Sequence, residues 1–384
     1  MRFPEFSGEW ETKSINDLAD VIGGGTPDTT VKSYWDGGIQ WFTPSEIGKN
    51  KFVDASLRTI TEEGLNNSSA KLLPPNTILL SSRATIGECS LSLRECATNQ
   101  GFQSLVSKKC NVDFLYYLIQ TKKKDLIRKS CGSTFLEISA NEVRKIQVSV
   151  PSDVEQQKIA GLLSLIDKRI ATQNKVIEDL KKLKSAIIEE HYKQSEKQSV
   201  PVADLGEPFS VSNLSKEDLT DTGTPCVIYG ELFTTYGEII NHVESYTKRS
   251  KGMTLSKKGD LLFPSSTTVD AVSLIAPSNI NVDNVILGGD MFGIHISSNY
   301  DAQYLSYYFN HIAKKQLAKY AKGSTIIHLH YKDIEKANLL LPCLKEQNKI
   351  AHNLILLDEK IHNENAYLQL IVKQKQYMLR HMFI

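Results

Sequence analysis

The chain has 384 residues, of which 41% are hydrophobic and 23% are charged. These values are typical of a folded protein with two or three domains, and they exclude a disordered chain. With 45 basic and 44 acidic residues, bulk positive charge cannot be its way of binding nucleic acid. There is no run of 18 apolar residues, and the first ten residues do not resemble a signal peptide. The six cysteines are dispersed, which favours free thiols, so we expect a cytoplasmic protein.

Residues 1–150 have the pattern of a mixed α/β domain. Short apolar runs predict strands at 40–42, 77–80, 103–106 and 145–150, and a helix is predicted over 113–129. Polar loops separate these elements, which is typical of a compact sheet that carries recognition loops. We therefore expect a first recognition domain over residues 1–150.

A long amphipathic helix is predicted over residues 151–198. Its apolar residues recur at steps of three and four, which is the period of a coiled-coil seam. Pro151 favours a helix start, and Ser152 with Glu155 has the pattern of a capping box. The predicted seam residues are Ile159, Leu163, Ile166, Ile170, Ile177 and Leu180.

The second half of the chain repeats the first, with a domain predicted over 199–341 and a helix over 342–384. Strands are predicted at 259–263 and 291–296, and a helix at 300–322. The second helix matches the first at an offset of 191 residues, with 13 identities in 40 positions. The chain is therefore two copies of one unit. Its second set of predicted seam residues is Ile350, Leu354, Leu357, Ile361, Leu368 and Ile371.

Each long helix would expose its apolar stripe if it stood alone, so each needs a partner. The simplest arrangement pairs the two copies antiparallel within the chain, with the two domains at opposite ends. Two alternatives remain open, in which the helices belong to separate bundles or pair between chains. Polar residues interrupt the seam at Gln173, Lys184, Glu364 and Lys375, where they either fix the register or lie at solvated edges.

The motifs of common catalytic sites are missing from the sequence. It has no phosphate-binding P-loop, no amino-methyltransferase motif and no nucleophile elbow. His328 and His330 would share one face of a strand, but no further ligand stands at zinc spacing. Basic residues cluster at 122–129, 248–258 and 314–322, where they either hold phosphates or form solvated helix faces. We predict a reader or a scaffold, not a catalyst, and no metal site.

The sequence resembles the DNA specificity subunits of type I restriction–modification enzymes over essentially the whole chain. The most specific feature is the pattern P-x3-E-Q-x2-I-A-x6-D-x2-I, which occurs at 151–170 and again at 342–361. Weaker similarities to the family lie at Trp10 and in the segments 22–27, 41–47, 80–87 and 99–102.

The resemblance implies an α+β fold of two mixed α/β target-recognition domains separated by two long helices. The helices would form an antiparallel coiled coil, which gives the chain a pseudo-two-fold internal repeat. Each domain would read one half of a split target in double-stranded DNA, and the helices would set the spacing. Two modification (methyltransferase) subunits would dock on the helices, and restriction (motor nuclease) subunits would join them. S-adenosylmethionine and ATP would belong to those partners, so this chain itself would carry no cofactor and no catalytic residue.

Specificity in such domains comes from side chains that reach base edges, with arginine favoured on guanine and asparagine or glutamine on adenine. In the first domain the candidate contacts are Thr26, Lys49, Ser81, Ser82, Arg83, Asn99, Gln100, Ser133 and Thr134. In the second domain they are Tyr229, Ser265, Ser266, Thr267, Lys322, Ser324 and Thr325. The loop serines and threonines have a second interpretation, in which they cap turns or bond their own backbone.

The second domain departs from the pattern of the first. The segment 265–268 replaces the Ser-Ser-Arg form, and Gly289–Asp290 is predicted to replace the pair Asn99–Gln100. We therefore expect the second domain to prefer other bases.

Overall fold

The computed structural model describes residues 2–132 and 136–383. The chain divides into two compact units. Unit 1 comprises Met1–Lys175 with Ala366–Ile384, and unit 2 comprises Val176–Asn365. The division cuts through both long helices, whereas the predicted boundaries at 150, 198 and 341 separate domains from helices. The predicted boundaries therefore stay predictions.

Unit 1 contains ten short strands and five short helices among its described residues, followed by a long helix that continues into unit 2. The strands are β1 (Glu11–Ser14), β2 (Ala19–Gly23), β3 (Trp35–Phe42), β4 (Phe52–Val53), β5 (Arg58–Ile60), β6 (Ile78–Leu80), β7 (Cys89–Ser92), β8 (Cys96–Thr98), β9 (Gln103–Ser107) and β10 (Gln147–Val150). The helices are α1 (Ile15–Leu18), α2 (Glu62–Asn66), α3 (Val112–Thr121), α4 (Lys123–Arg128), α5 (Ala140–Arg144) and the long α6 (Asp153–Gln194).

Unit 2 contains fourteen short strands and five short helices among its described residues and ends in the second long helix. Its strands are β11 (Gln198–Pro201), β12 (Gly206–Ser210), β13 (Leu219–Thr220), β14 (Thr224–Ile228), β15 (Ile239–Ile240), β16 (Ser245–Thr247), β17 (Thr254–Leu255), β18 (Asp260–Pro264), β19 (Ser266–Thr267), β20 (Ser278–Ile280), β21 (Ile286–Gly288), β22 (Met291–Ile296), β23 (Ile327–His328) and β24 (Asn338–Leu341). Its helices are α7 (Glu231–Thr234), α8 (Ala271–Leu274), α9 (Ala302–His311), α10 (Lys314–Leu317), α11 (Tyr331–Ile334) and the long α12 (Leu344–Met382).

The sheets of the two units have the same topology. The five-stranded sheet of unit 1 has the order β2-β9-β6-β7-β4, and that of unit 2 has the order β12-β22-β18-β20-β15. A second sheet is built on β5-β3-β8 in unit 1 and on β16-β14-β21 in unit 2, each with one parallel pair. The predicted internal repeat and the α+β fold are thereby confirmed.

The two long helices run antiparallel wherever they pack in one unit. In unit 1, Asp167 of α6 binds Lys375 of α12, and Met382 lies in the same core cluster as Ile159. In unit 2, Lys184 of α6 binds Asp358 of α12. Residue numbers thus rise along one helix as they fall along the other, and the predicted pairing within the chain is confirmed.

Two predicted helices are broken in the structure. The helix expected over 113–129 is split into α3 and α4 at Lys122, where the backbone leaves the helical region (φ −92°, ψ 7°). The break gives α4 its own direction and lets Leu126 reach the core, where it is fully buried. The helix expected over 300–322 likewise ends at His311 and resumes as α10.

The predicted capping box at the start of α6 forms only in part. The backbone N–H of Glu155 donates to Ser152 Oγ at 3.4 Å. The carboxylate of Glu155 is buried and accepts two bonds of 2.7 Å from the guanidinium of Arg2 instead. A residue far away in the sequence has therefore taken the place of the local partner.

In the described part of the chain, no helix combines the length and the hydropathy that crossing a bilayer would require. All six cysteines are free.

Candidate nucleic-acid interface

Six of the predicted contacts of unit 1 lie at one edge of its five-stranded sheet: Thr26, Ser81, Ser82, Arg83, Asn99 and Gln100. Because β2 and β9 are antiparallel, the end of β2 at Gly23 lies opposite the start of β9 at Gln103. β6 is also antiparallel to β9, and the bridge that extends their ladder joins Ser81 to Phe102. The loops that follow β2 and β6 and the turn that precedes β9 therefore leave the sheet side by side.

Thr26 and Gln100 meet at this edge. The hydroxyl of Thr26 donates to Gln100 Oε1, which ties the loop after β2 to the turn before β9. Trp41 Nε1 donates to the carbonyl of Gly25 at 2.9 Å and holds the same loop from below. Asn99 Oδ1 accepts the N–H of Gly101 at 2.9 Å, so the amide of Asn99 shapes the turn while Gln100 stays exposed.

Ser81 and Ser82 lie beneath the loop that carries Arg83. Both are fully buried, and Ser81 Oγ donates to the carbonyl of Arg83 at 2.8 Å. Ser82 Oγ is buried with no hydrogen-bond partner. The hydroxyl of Ser81 therefore fits the turn-capping interpretation, whereas that of Ser82 caps no turn.

Arg83 stands at the surface in an ion pair. Its Nη2 lies 2.8 Å from Glu137 Oε2, and both side chains are more than one-third exposed. Glu137 forms isolated antiparallel bridges with Arg83 and with Cys131. The candidates Ser133 and Thr134 fall between Cys131 and Glu137 in the sequence and lie outside the described part of the chain. Lys49 is exposed on a separate loop, in which the N–H of Gly48 donates to Ser90 Oγ at 3.0 Å.

Unit 2 builds the same edge with other side chains. Ser265 and Ser266 are buried, whereas Thr267 is half-buried and its Oγ1 accepts the N–H of Val269 at 3.2 Å. The remaining candidates are surface residues: Tyr229, Lys322, Ser324 and Thr325. Lys322 closes a hairpin with His328, and the bridge between Cys131 and Glu137 is its equivalent in unit 1. The ammonium group of Lys322 lies 2.5 Å from Asp333.

Backbone hydrogen bonds align the two edges residue by residue. The N–H of Ser82 donates to the carbonyl of Gly101, and the N–H of Ser265 donates to that of Asp290, both at 2.8 Å. Ser266 consequently takes the place of Arg83. Gly288 and Gly289, one position earlier than predicted, take the places of Asn99 and Gln100. The predicted match to Gly289–Asp290 was wrong because sequence alone did not define which strand residues pair.

The predicted seam residues of both long helices are buried or half-buried. The buried ones are Ile159, Leu163, Ile166, Ile177, Ile350, Leu354 and Ile371, and the half-buried ones are Ile170, Leu180, Leu357, Ile361 and Leu368. Ile159 and Leu163 share a core cluster with Met382 of α12, and Ile350 and Leu354 share one with Ile188 of α6.

The two lysines among the polar seam positions belong to a motif that occurs once in each unit. In unit 1, Lys375 Nζ binds Asp167 at 2.7 Å, and Tyr117 donates to the same carboxylate at 2.6 Å. In unit 2, Lys184 Nζ binds Asp358 at 2.7 Å, and Tyr307 donates to that carboxylate at 2.6 Å. Burial raises the pKa of both tyrosines, and the adjacent aspartate raises it further in each case. Each phenol therefore stays a hydrogen-bond donor.

The glutamine of each Pro-x3-Glu-Gln motif links its helix to its domain. Gln156 is buried, donates to the carbonyl of Pro151 and accepts the N–H of Asn111, the residue that caps α3. Gln347 makes the same two bonds, to Pro342 and to Asp301, the residue that caps α9. The repeated motif thus fixes the angle at which the domain helix meets the long helix.

Unit 2 adds a half-buried carboxylate that the sequence analysis did not single out. Glu238 binds Lys184 at 3.0 Å and His311 at 2.8 Å. Burial alone would raise the pKa of Glu238, but the bonds from His311 and Lys184 outweigh it and lower this pKa to about 2. Lys184 therefore serves two carboxylates, one from the long helix and one from the domain.

No metal centre is indicated. Within the described residues, no group of three potential metal ligands comes together. His328 and His330 are exposed, with ring centroids 6.2 Å apart.

Sequence comparisons decide the family. A family model described as "Type I restriction modification DNA specificity domain" matches residues 7–182 and again residues 194–374. The chain belongs to this family.

Relatives within the family include the specificity subunit of type I restriction enzyme MjaIX from Methanocaldococcus jannaschii. It is 39% identical over 180 residues, which are 46% of this chain and 42% of the relative. The EcoR124I/EcoR124II specificity subunit from Escherichia coli is 31% identical over 168 residues, or 42% of this chain and 41% of the relative. The matched region thus spans less than half the length of either relative. A third relative, the MjaVIII specificity subunit of M. jannaschii, aligns with 99% of this chain at 22% identity and is itself covered over 92% of its length.

Solved structures share the fold over the full chain. The type I restriction–modification S subunit from M. genitalium superposes with a TM-score of 0.59 at 15% identity, covering 100% of this chain and 99% of that one. A chain from a structure titled for the complex assembly and conformational transition of the type I R-M system gives a TM-score of 0.62 at 14% identity, covering 98% of both chains. At such identities the likeness shows the fold of the specificity subunits.

Proposed function

We propose that this chain is the sequence-specific DNA-binding subunit of a type I restriction–modification complex and that it reads a bipartite, asymmetric target. One observation carries the proposal. The two units present equivalent loops at equivalent sheet edges, held by equivalent backbone bonds, but the side chains on those loops differ. A frame that is repeated with its loop residues changed is suited to holding two different half-sites.

The chemistry of unit 1 is suited to contact with DNA bases. Arg83, Asn99 and Gln100 are the residue types that form paired hydrogen bonds with guanine and adenine. At the equivalent positions unit 2 carries Ser266, Gly288 and Gly289, so its half-site would be read by other residues of that edge, with Tyr229 and the hairpin 322–328 as candidates. The chain as a whole is nearly neutral, so partner proteins would have to share the contacts with the DNA backbone.

The long helices are proposed to dock two methyltransferase subunits. Leu165 of α6 and Leu356 of α12 occupy equivalent positions in the repeat, and they are 64% and 50% exposed. Two equivalent apolar positions on a repeated helix would suit two copies of one partner. In this proposal the restriction subunits join that core, S-adenosylmethionine and ATP bind the partners, and this chain contributes recognition and no catalytic group.

Selection from random duplexes tests the proposal. The chain would be purified with its methyltransferase partners and used to select DNA. We expect enrichment of two unlike short sequences separated by a gap of constant length. A complex that forms but selects no sequence would contradict the proposal and would favour a scaffold whose two domains bind proteins.

A further inference from the structure

Arg58 is an exposed arginine close to the predicted contacts of unit 1, and no pattern in the sequence singled it out. It begins β5, where it pairs with Trp41 of β3, and Trp41 pairs on its other side with Ala97 of β8. β8 continues directly into Asn99 and Gln100. Neighbouring strands lie about 4.8 Å apart, so Arg58 stands about two strand spacings from that turn.

The guanidinium of Arg58 lies over an aromatic ring, at a distance that corresponds to stacking contact. Its Cζ lies 3.5 Å from the centroid of Trp35. The indole of Trp35 is itself fixed, because Nε1 donates to the carbonyl of Asp28 at 3.0 Å and the ring meets Trp41 edge to face. Stacking of this kind sets the plane of the guanidinium and leaves its N–H edge free to donate two parallel hydrogen bonds.

A detour in β3 brings Trp35 to this place. Ile60 of β5 lies opposite both Trp35 and Ile39, so the residues between them bulge out of the ladder. A Cβ atom on Gly37 would stand 2.5 Å from the carbonyl oxygen of Ile60, so only glycine fits there. Because of the bulge, Trp35 lies opposite Ile60 of β5, the strand that also contains Arg58.

The chain just before Arg58 is pinned by side chains. The N–H of Leu57 donates to Glu46 Oε1 at 2.6 Å, and the other oxygen of Glu46 accepts from the N–H and hydroxyl of Thr43. Gln40 accepts from the N–H of Ser56 at 2.7 Å. Leu57 nevertheless stands 86% exposed. A rigid tip that holds an apolar side chain in water is suited to contact with a partner molecule.

Arg58 also differs from its neighbours in its charge partners. It makes no ion pair with any residue that the structure describes, whereas Arg83 is paired with Glu137 and Arg94 with Asp54. In unit 2 the equivalent of Trp41 is Cys226, which pairs with Ser245, so that unit has no arginine at this place.

We propose that Arg58 reads a guanine in the half-site of unit 1, through paired hydrogen bonds to O6 and N7. The inference rests on the proposed function, to which it adds one residue and the base that this residue contacts. Arginine stacked in a fixed plane has the geometry for this contact, and a phosphate contact would need no such fixation.

The test compares Arg58→Met with Arg94→Ala in the complete complex. Methionine keeps an apolar cover over Trp35 and removes the donors, so a merely structural role of Arg58 would survive the change. Arg94 is the control because it is also an exposed arginine of unit 1. It precedes β8, whereas the predicted contact Asn99 follows β8 and so lies at the other end of that strand. We expect Arg58→Met to bind the selected target about 10-fold to 100-fold more weakly and to accept any base at one position of one half-site. Arg94→Ala should leave the motif unchanged.

Replacing the guanine at that position by 7-deazaguanine, which lacks the N7 acceptor, gives a second readout. It should weaken binding by the parent complex and leave Arg58→Met unaffected. An equal loss on all sequences would make Arg58 a phosphate contact and overturn the inference, as would an unchanged motif. In both cases the parent complex would still select a two-part target, whereas failure of the proposed function would leave the parent with no motif at all.

Discussion

Lys184 and Lys375 show what single polar residues do in an apolar helix seam. The sequence left two interpretations open, in which these lysines fix the register or lie at solvated edges. In the structure their side chains are only 9% and 19% exposed, and each binds the aspartate of the other long helix. The arrangement favours the first interpretation, because each lysine can satisfy its charge only in one register.

Replacing Lys184 by methionine should destabilise the protein. The change leaves Asp358 and Glu238 close together without their shared cation, and breaking a buried pair in this way costs about 3 kcal/mol. Denaturant unfolding monitored by circular dichroism measures the loss. The matched control is Lys182→Met on the same helix, because the side chain of Lys182 is 69% exposed and bridges to Glu178 of the same helix. Equal stability of the two variants would contradict the role given to Lys184.

The low pKa of Glu238 predicts a dependence of stability on pH. Because folding lowers this pKa from 4.5 to about 2, the carboxylate adds stability above pH 4.5 and loses that contribution as the pH falls toward 2. Relative to Glu238→Gln, the parent protein should be more stable by about 3 kcal/mol at pH 7, and the difference should shrink across this window. Thermal unfolding of both proteins between pH 2.5 and 7 checks it. A difference that is constant with pH would show that the ion pairs are not its source.

Arg83 is predicted to read a base, although it is paired with Glu137 in the structure. Arg83→Ala should cost about 1–3 kcal/mol of binding to the preferred DNA and relax one base position, because a paired contact to guanine would be lost. Competition binding with single-base variants of the target measures both effects. Arg128→Ala is the control, since that arginine is 77% exposed and pairs with Asp125 of its own helix. A uniform loss on every sequence would assign Arg83 to the phosphate backbone.

At the scale of elements, the repeating parts could be predicted and the junctions could not. The heptad spacing of apolar residues defines α6 and α12 locally, and the strands at 40–42, 77–80 and 103–106 follow from short apolar runs. The breaks at Lys122 and after His311 have no glycine or proline to announce them. They depend on how a second helical segment meets a core that other parts of the chain build.

The candidate interface was predictable in kind and not in detail. Loop hydroxyls in a Ser-Ser-Arg turn were recognisable, but the burial of Ser81 and Ser82 depends on the strand pairing beneath them. The place of Arg58 depends on a bulge in β3 and on a tryptophan 23 positions earlier in the chain. No local pattern carries this information, since it arises from long-range register.

An insertion in one long helix should disturb assembly. Asp167 and Lys184 are 17 residues apart in α6, and Asp358 and Lys375 are also 17 residues apart in α12. The two ion pairs between the helices therefore require equal lengths of α6 and α12 between them. Four extra residues within 171–183 of α6 would break this match and shift the apolar stripe out of phase. We expect loss of complex formation or a changed gap in the DNA motif. Size-exclusion chromatography and duplex selection distinguish the two.

The control for this experiment lengthens both helices. Seven residues, one heptad, would be added within 168–183 and another seven within 359–374, which keeps the phase and both ion pairs. If the helices set the spacing of the half-sites, the added length of about 10 Å should widen the gap by about three base pairs. An unchanged gap in a complex that still assembles would contradict the role of the helices as a spacer.

At the scale of the whole molecule, the chain is one fold used twice. The same strand orders, the same Gln–helix links and the same Lys–Asp–Tyr motif recur, while Arg58, Arg83 and Asn99 of unit 1 become Ser245, Ser266 and Gly288 of unit 2. The contacts that join each domain to the long helices are the same in both units, whereas the side chains on the loops differ. We interpret this division as selection for a constant support and for two independent recognition surfaces.

The central claim is that two unlike recognition surfaces in one chain define one split DNA target. The most direct measurement is the mapping of methylated sites in DNA from cells that express the chain with the proposed methyltransferase partners. The account predicts a single motif made of two different half-sites with a constant gap, methylated at one adenine or cytosine position in each half. A palindromic motif, a motif with one half only, or a gap that varies from site to site would contradict it.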